Sequence, residues 1–304
     1  MLSKAVHRFN TSQSFLQHSS RAFGVNEKQI KLRRKSVMSI EKITKAMKMV
    51  AASKMRGELK RLEDGRSFGY KSVDMMFKSD QYLQRKAPLA DTHDQSELLV
   101  PLSSDKGLCG GINSNVVREL KTYLKDKNRS KVKILPVGEK GSAAMIRPFP
   151  DMIKNSISDI GSPCNYPTIM AIADQVQRQA EGYDKIVVYY NEFKSAISQV
   201  IRRMELMPKK RFIDTMKFSR LYSQKLPDKN TSNPSLYELY LTSNLWVAFL
   251  NNAASEQSAR MSAMENASKN AREIVNKLNL EYNKARQARI TMELVEIISG
   301  ASAL

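Results

Sequence analysis

Residues 103–111 read Ser103-Ser104-Asp105-Lys106-Gly107-Leu108-Cys109-Gly110-Gly111. Hydroxyls, a carboxylate, a lysine and a thiol set among glycines are what a phosphate cradle or a nucleophile loop would carry. The stretch follows a strand-like run and precedes a helical one, where open α/β sheets bind their ligands. The spacing supports neither chemistry. A P-loop begun at Gly107 would need glycine at 112 and lysine at 113, but these are Ile112 and Asn113. A dinucleotide fingerprint cannot be laid on Gly107, Gly110 and Gly111 either. A nucleophilic Cys109 would want a histidine, and beyond residue 18 there is only His93, in a polar stretch ahead of the sheet. Glu293 and Glu296 stand three apart with no histidine near them, which describes a solvated helix face rather than a metal site. The expected chemistry is therefore no catalysis, no metal and no cofactor, and the loop reads as a tight turn that admits a close neighbour.

The elements that would position this loop fall into three zones. From residue 26 to 86 there is no proline, and Ile40, Ile43, Met47, Val50, Ala51 and Met55 recur at steps of three and four, which predicts one apolar helix face. Gly57, Gly65 and Gly69 weaken the later part by up to ~1 kcal/mol each relative to alanine, so bending or fraying is expected there. Residues 95–230 alternate strand and helix signals: strands over 97–104, 131–137 and 184–193, helices over 113–125 and 167–179. A hairpin across Lys194-Ser195-Ala196 leads into a strand over 198–207. Residues 209–233 read as a polar, basic loop, and 138–166 have no clear pattern. Asn233-Pro234-Ser235 reads as N-cap and first helical turn, and residues 235–299 contain neither glycine nor proline. A helix of that length would run about 100 Å and needs a long partner. Ala253, Ala263, Ala267 and Ala271 with Ile274, Leu278, Tyr282 and Ala285 offer a small-residue stripe for the N-terminal helix. The expected fold is α/β: a long antiparallel coiled coil of N- and C-terminal helices plus a central open, Rossmann-like α/β domain.

The totals set the class of partner. The chain has 304 residues, net charge +20, 41% hydrophobic and only 7% aromatic residues. That balance calls for an acidic partner: nucleic acid, an anionic membrane surface or an acidic protein face. Its two cysteines, Cys109 and Cys164, lie far apart and suit a reducing compartment. No apolar run reaches the roughly 18 residues of a membrane span. Residues 1–23 hold Lys4, Arg8 and Arg21, are rich in serine, and no acid precedes Glu27. A disordered basic tail would share some of this, but serine enrichment together with the lack of acids predicts a mitochondrial transit peptide, and Arg21-Ala22-Phe23 resembles a cleavage site just before Gly24.

Three long stretches carry a family resemblance: ITKAMKMVAASKMR (43–56), SSDKGLCGGINSN (103–115) and YNKARQARITMELVEIISGASAL (282–304). Together, in this order, they resemble the γ subunit of F-type ATP synthases, over nearly all of the chain after the presequence. The resemblance implies a non-catalytic rotor. Its paired helices, residues 24–90 and 233–304, would form a shaft inside a ring of α and β subunits. Residues 91–232 would form a foot against δ- and ε-type subunits and the c-ring. Chloroplast members carry an inserted segment with closely spaced cysteines; here Cys109 and Cys164 are 55 positions apart and no such insertion is seen, which with the presequence points to the matrix side of the mitochondrial inner membrane.

Contacts carry over residue by residue. Met47 matches a shaft methionine facing an acidic β loop. Arg260, Arg286, Gln287, Thr291 and Glu293 match polar positions that contact β or brace the N-terminal helix, Arg286 and Gln287 forming a catch for a β loop. Lys106 and Cys109 match the glycine loop that passes the acidic β segment. Ile297, Ile298, Ala301, Ala303 and Leu304 form the uncharged tip expected in an apolar collar. Two rivals remain on composition alone, a nucleic-acid-binding coiled coil and a small-molecule α/β enzyme. The first lacks aromatic platforms among its basic residues, so no nucleic-acid partner is expected. The second lacks a catalytic set.

Overall fold

The computed structural model describes the backbone of residues 2–78, 95–125, 127–216 and 229–302, and the side chains of 27–66, 95–125, 127–214 and 233–302. The chain forms two compact units, Met1–Lys48 with Met264–Leu304, and Met49–Ala263. Helix α1 spans Leu2–Lys78 and the last helix, α6, spans Lys229–Ala301.

In the first unit the two helices run antiparallel. Arg289 pairs with Glu27 at 3.1 Å, Arg34 with Asn279 at 3.1 Å, Arg272 with Glu41 at 3.1 Å and Lys48 with Glu265 at 3.1 Å, so one number rises as the other falls. The covered positions of α1 follow alternating steps of three and four, at Glu27, Ile30, Arg34, Val37, Glu41, Thr44 and Lys48. Those of α6 are Met264, Ala271, Val275, Leu278, Tyr282 and Ala285. This is a heptad seam; on α6 it keeps the expected Ala271, Leu278, Tyr282 and Ala285, whereas on α1 it is not the face expected. Ile40, Ile43 and Val50 are 51%, 58% and 56% exposed, and Ile274 is exposed with Val275 buried in its place. Thr44 sits inside and caps its own helix turn, its hydroxyl donating to the Ile40 carbonyl at 3.0 Å. Within this unit the apolar residues of α1 are thus mostly on the outside, and polar ones fix the register.

The second unit is built on a four-stranded sheet of order β2-β1-β3-β4. The strands are β1 (Glu97–Pro101), β2 (Val132–Ile134), β3 (Lys185–Phe193) and β4 (Gln199–Leu206). β1 is parallel to both neighbours, and β3–β4 is the expected antiparallel hairpin. The parallel strands are buried on both faces, which is why they read as continuous apolar runs. Leu98, Val100, Ile186, Val188 and Tyr190 pack with α4 (Tyr166–Gln179) and with Tyr237, Leu241, Leu245 and Ala248 of α6. Leu99, Val187 and Tyr189 pack on the other face with Val116, Val117 and Leu120 of α2 (Ile112–Tyr123) and Met145 of α3 (Glu139–Ile146).

Two local expectations are corrected. Residues 209–216 are not loop but a helix, α5 (Lys209–Met216). Its single aromatic, Phe212, is 1% exposed and stacks edge-on to Tyr237 at 5.3 Å. One buried ring outweighs the polar composition. Asn233 is not an N-cap, because α6 begins at Lys229 and carries Pro234 inside it. As the sixth residue of the helix, Pro234 lies just past the first turn, whose N–H groups have no intrahelical partner, so it forgoes one backbone hydrogen bond there.

Gly65 does not fray α1. A Cβ there would lie 2.3 Å from Leu250 Cδ1 and 3.2 Å from Trp246 Nε1, so the glycine marks a close approach to α6. Gly57 meets nothing within 4 Å. Ala303 and Leu304 lie outside the described residues, as do the surroundings of Gly69.

Candidate functional site

The strand order places the glycine loop at a particular point. The chain leaves β1 for β2 on one side and returns to β3 on the other, so the loop after β1 sits at the switch point where open α/β sheets bind ligands. Here the chain's own groups fill that position. The Ser103 hydroxyl donates to the Val137 carbonyl at 2.7 Å and accepts from the Gly141 N–H at 3.2 Å. Gly138 has φ 99°, and a Cβ on it would lie 2.5 Å from the Ser103 carbonyl oxygen. No side chain fits there.

Asp105 is a staple rather than a catalytic acid. The Glu139 and Asp159 N–H groups donate to its Oδ1 at 3.0 and 3.3 Å, and the Ile160 N–H donates to its Oδ2 at 2.9 Å. Ser104 and Asn113 close the loop: the Asn113 amide donates to Ser104 Oγ at 2.8 Å, and the Ser104 N–H donates to Asn113 Oδ1 at 3.1 Å. Cys109 is 2% exposed, packed with Ile112 and Ala259 of α6. Gly110 has φ 63°, and a Cβ on it would lie 3.9 Å from the Ala259 carbonyl oxygen. A side chain there would be strained in the left-handed region.

Arg260 completes the arrangement from α6. Its Nε and Nη2 donate to the Gly107 carbonyl at 3.4 and 3.3 Å, and Nη2 also reaches the Lys106 carbonyl at 3.3 Å and Glu256 Oε1 at 2.6 Å. Burial pushes the Glu256 carboxyl above the ordinary carboxylate range, against the pull of Arg260. Arg260 thus braces the loop, not the N-terminal helix. Lys106 and Leu108 are left outside; Leu108 is 62% exposed at φ 61°. Sequence reasoning missed Leu108, Asp105 and Glu256. Only the first left a trace, as a bulky residue between turn-forming glycines.

The remaining expected residues lie on the helices of the first unit. Met47 is half-buried, while Arg286, Gln287, Thr291 and Glu293 are exposed. Arg289 reaches Glu293 at 3.7 Å. Ile297 and Ile298 are two-thirds exposed (67% and 66%), and Ala301 is exposed. Among the described residues no group of histidines, cysteines and acids could hold a metal, and no helix is long and apolar enough to cross a membrane. The Cys164 thiol is raised to about 11 by burial, which leaves it protonated and unreactive near neutrality.

The ATP synthase family model matches residues 26–304. The ATP synthase γ chain of Pelagibacter ubique is 37% identical over 286 residues, covering 90% of this chain and 98% of that one. The chain belongs to the ATP synthase γ family. The mitochondrial F(1) complex γ subunit of Dictyostelium discoideum is 34% identical over 287 residues, with 91% of each chain covered. Among solved structures, a chain from the central stalk and c-ring of the Tetrahymena thermophila mitochondrial ATP synthase is 48% identical. It has a TM-score of 0.68 and covers 74% of this chain and 99% of that one. In the family, catalysis belongs to other subunits, in keeping with a glycine loop that packs on its own helix instead of opening to a ligand.

Proposed function

We propose that this chain is the central-stalk rotor of a mitochondrial ATP synthase. It couples proton-driven rotation of the c-ring to the conformational cycling of catalytic β subunits, on the matrix side of the inner membrane. The observation that carries this is the inverted character of α1. Its seam holds Glu27, Arg34, Glu41 and Lys48, while Leu32, Met38, Ile40, Ile43, Met49 and Val50 are exposed beside exposed Lys42, Lys45 and Lys54. Apolar surface left in water costs about 25 cal/mol per Å², so an outward apolar face with interspersed lysines suits a helix enclosed by another protein with acidic loops.

In this reading residues 24–90 and 233–304 are the shaft, 91–232 the foot and 1–23 a cleaved presequence. The family model's start at residue 26 supports that boundary. Met47, Lys106, Arg286, Gln287, Thr291 and Glu293 meet β, with α and β enclosing the shaft and δ- and ε-type subunits and the c-ring at the foot. Cys109 and Arg260, being buried, act by holding Lys106 in place. Ile297, Ile298 and Ala301, with Ala303 and Leu304 beyond them, form the apolar tip. Single exposed ion pairs are worth about 0–1 kcal/mol, enough to bias rotary positions without locking them.

Copurification tests the reading. A tagged chain should bring down α and β subunits, and depleting it should abolish ATP-driven proton pumping. Membranes that pump normally without it would end the proposal. Met47→Lys should strengthen attraction to acidic β loops and lower the protons moved per ATP; an unchanged ratio removes the Met47 contact.

A further inference from the structure

Arg61 has no role in the reading above, yet it joins three elements of the unit Met49–Ala263. From α1, its Nη1 donates to both Glu58 carboxylate oxygens, at 3.2 and 2.9 Å. Its Nη2 donates to the Cys164 carbonyl, in the loop that enters α4. The guanidinium also lies over the Trp246 ring of α6, 5.7 Å from its centroid. Trp246 is the chain's single tryptophan and also makes a T-shaped contact with Tyr166, the first residue of α4, at 5.5 Å between ring centroids. Gly65 stands one helical turn from Arg61 on the same face, and its missing side chain lets α1 close on Trp246 and Leu250.

The contacts form a circuit. Arg260 ties α6 to the carbonyls of Lys106 and Gly107. The neighbouring Asp105 ties that loop to the N–H groups of Asp159 and Ile160. A few residues on, the Cys164 carbonyl is held by Arg61, which returns to α6 through Trp246. Twisting either helix against the sheet must break a charge-assisted bond at one arginine or the other. A planar guanidinium offers a rigid fork of donors to a carboxylate and a carbonyl while its face lies on an indole; a lysine ammonium is a flexible point charge without that fork or face.

We infer that Arg61 is a torque-transmitting positioning residue, clamping α1 to the sheet-bearing region and to α6 so that rotation of the foot is passed to both helices. The inference rests on the rotor reading.

The test uses the assembled membrane enzyme, comparing ATP hydrolysed with protons pumped in wild type, Arg61→Ala, Arg61→Lys and Glu58→Gln, each normalised to the amount of this chain in the complex. Arg61→Ala should keep hydrolysis while the protons pumped per ATP fall about two- to fivefold, the lower part of the roughly two- to thirtyfold range for one member of a coupling network. Arg61→Lys should recover less than half of that loss. A purely structural role would lower the amount of complex but leave the ratio per complex unchanged, and that result overturns the inference. Full recovery by lysine overturns it too, since charge alone would then suffice. If Arg61→Ala does not assemble, the ratio in Arg61→Lys and Trp246→Leu complexes decides by the same criterion. If pumping survives depletion of the chain itself, the rotor reading fails; if depletion abolishes pumping and Arg61→Ala does not alter the ratio, only the clamp fails.

Discussion

Arg260 and Gly107 lie 153 positions apart in the chain, yet two guanidinium nitrogens of the one donate to the carbonyl of the other, at 3.4 and 3.3 Å. The bond fastens the loop after β1 to α6, and Glu256 fixes the guanidinium from one turn earlier at 2.6 Å. The loop is thereby held by a helix that never enters the sheet.

Removing Arg260 strands a mostly buried carboxylate and leaves two carbonyls without that donor. Loss of one partner of a buried pair costs about 3–5 kcal/mol; since both side chains keep slight exposure (11% and 18%), the low end applies. Arg260→Ala should therefore lower the urea unfolding midpoint with an unchanged slope. A shift corresponding to well under ~1 kcal/mol would mean that the loop holds itself.

Glu256 sets a pH dependence of unusual sign. Its folded-state carboxyl is raised, first by burial. Above the ordinary carboxylate value of about 4.3, the unfolded chain has released this proton while the folded chain still holds it. Its contribution to stability therefore falls as pH rises through the raised folded value. Asp184, held low by the Ser96 hydroxyl and N–H, acts in the opposite sense and loses its contribution as pH falls. Unfolding curves between pH 4 and 7 should show Glu256→Gln abolishing the Glu256 slope; parallel wild-type and variant curves would contradict the assignment.

The two described α1 glycines should respond oppositely. Gly57→Ala meets open space and should stabilise by about 0.5–1 kcal/mol through helix propensity and a stiffer unfolded chain. Gly65→Leu drives a side chain into Leu250, which is 2% exposed, and Trp246. Overpacking of this kind costs about 1–3 kcal/mol. Thermal melting of both variants checks the contrast, and equal shifts would rule out the close approach at Gly65.

The seam of the first unit should draw its strength from α6. Leu278→Ala removes a 5% exposed side chain and should cost about 2–3 kcal/mol. Breaking the Arg272–Glu41 pair, whose arginine is 64% exposed, should cost under ~1 kcal/mol. A double-mutant cycle on that pair coupling by more than about 1 kcal/mol would show a stronger register lock than an exposed pair supplies.

Much of the second unit was legible because its signals are local. β1, β3, the hairpin and α4 carry apolar runs bounded by turn residues, and strands buried on both faces are apolar through most of their length. Phe212 shows the limit: five polar residues of the eight in α5 masked the one ring that anchors it. Ile40, Ile43 and Val50 show a subtler one. Their spacing is helical, and the helix is real, but periodicity reports that a face is apolar without saying what covers it.

The sequence alone determined the two long helices, the open sheet, the lack of a catalytic set and, through three motifs, the family. These rest on neighbours in the chain: propensity, alternation and turn chemistry. Tertiary structure decided which faces meet, that Arg260 serves the loop after β1, and that Gly65 is a contact and not a weakness. Each of those is a pairing between residues far apart in the chain. Its energy comes from geometry, such as the fork of a guanidinium or the width of a missing side chain, which no local pattern encodes.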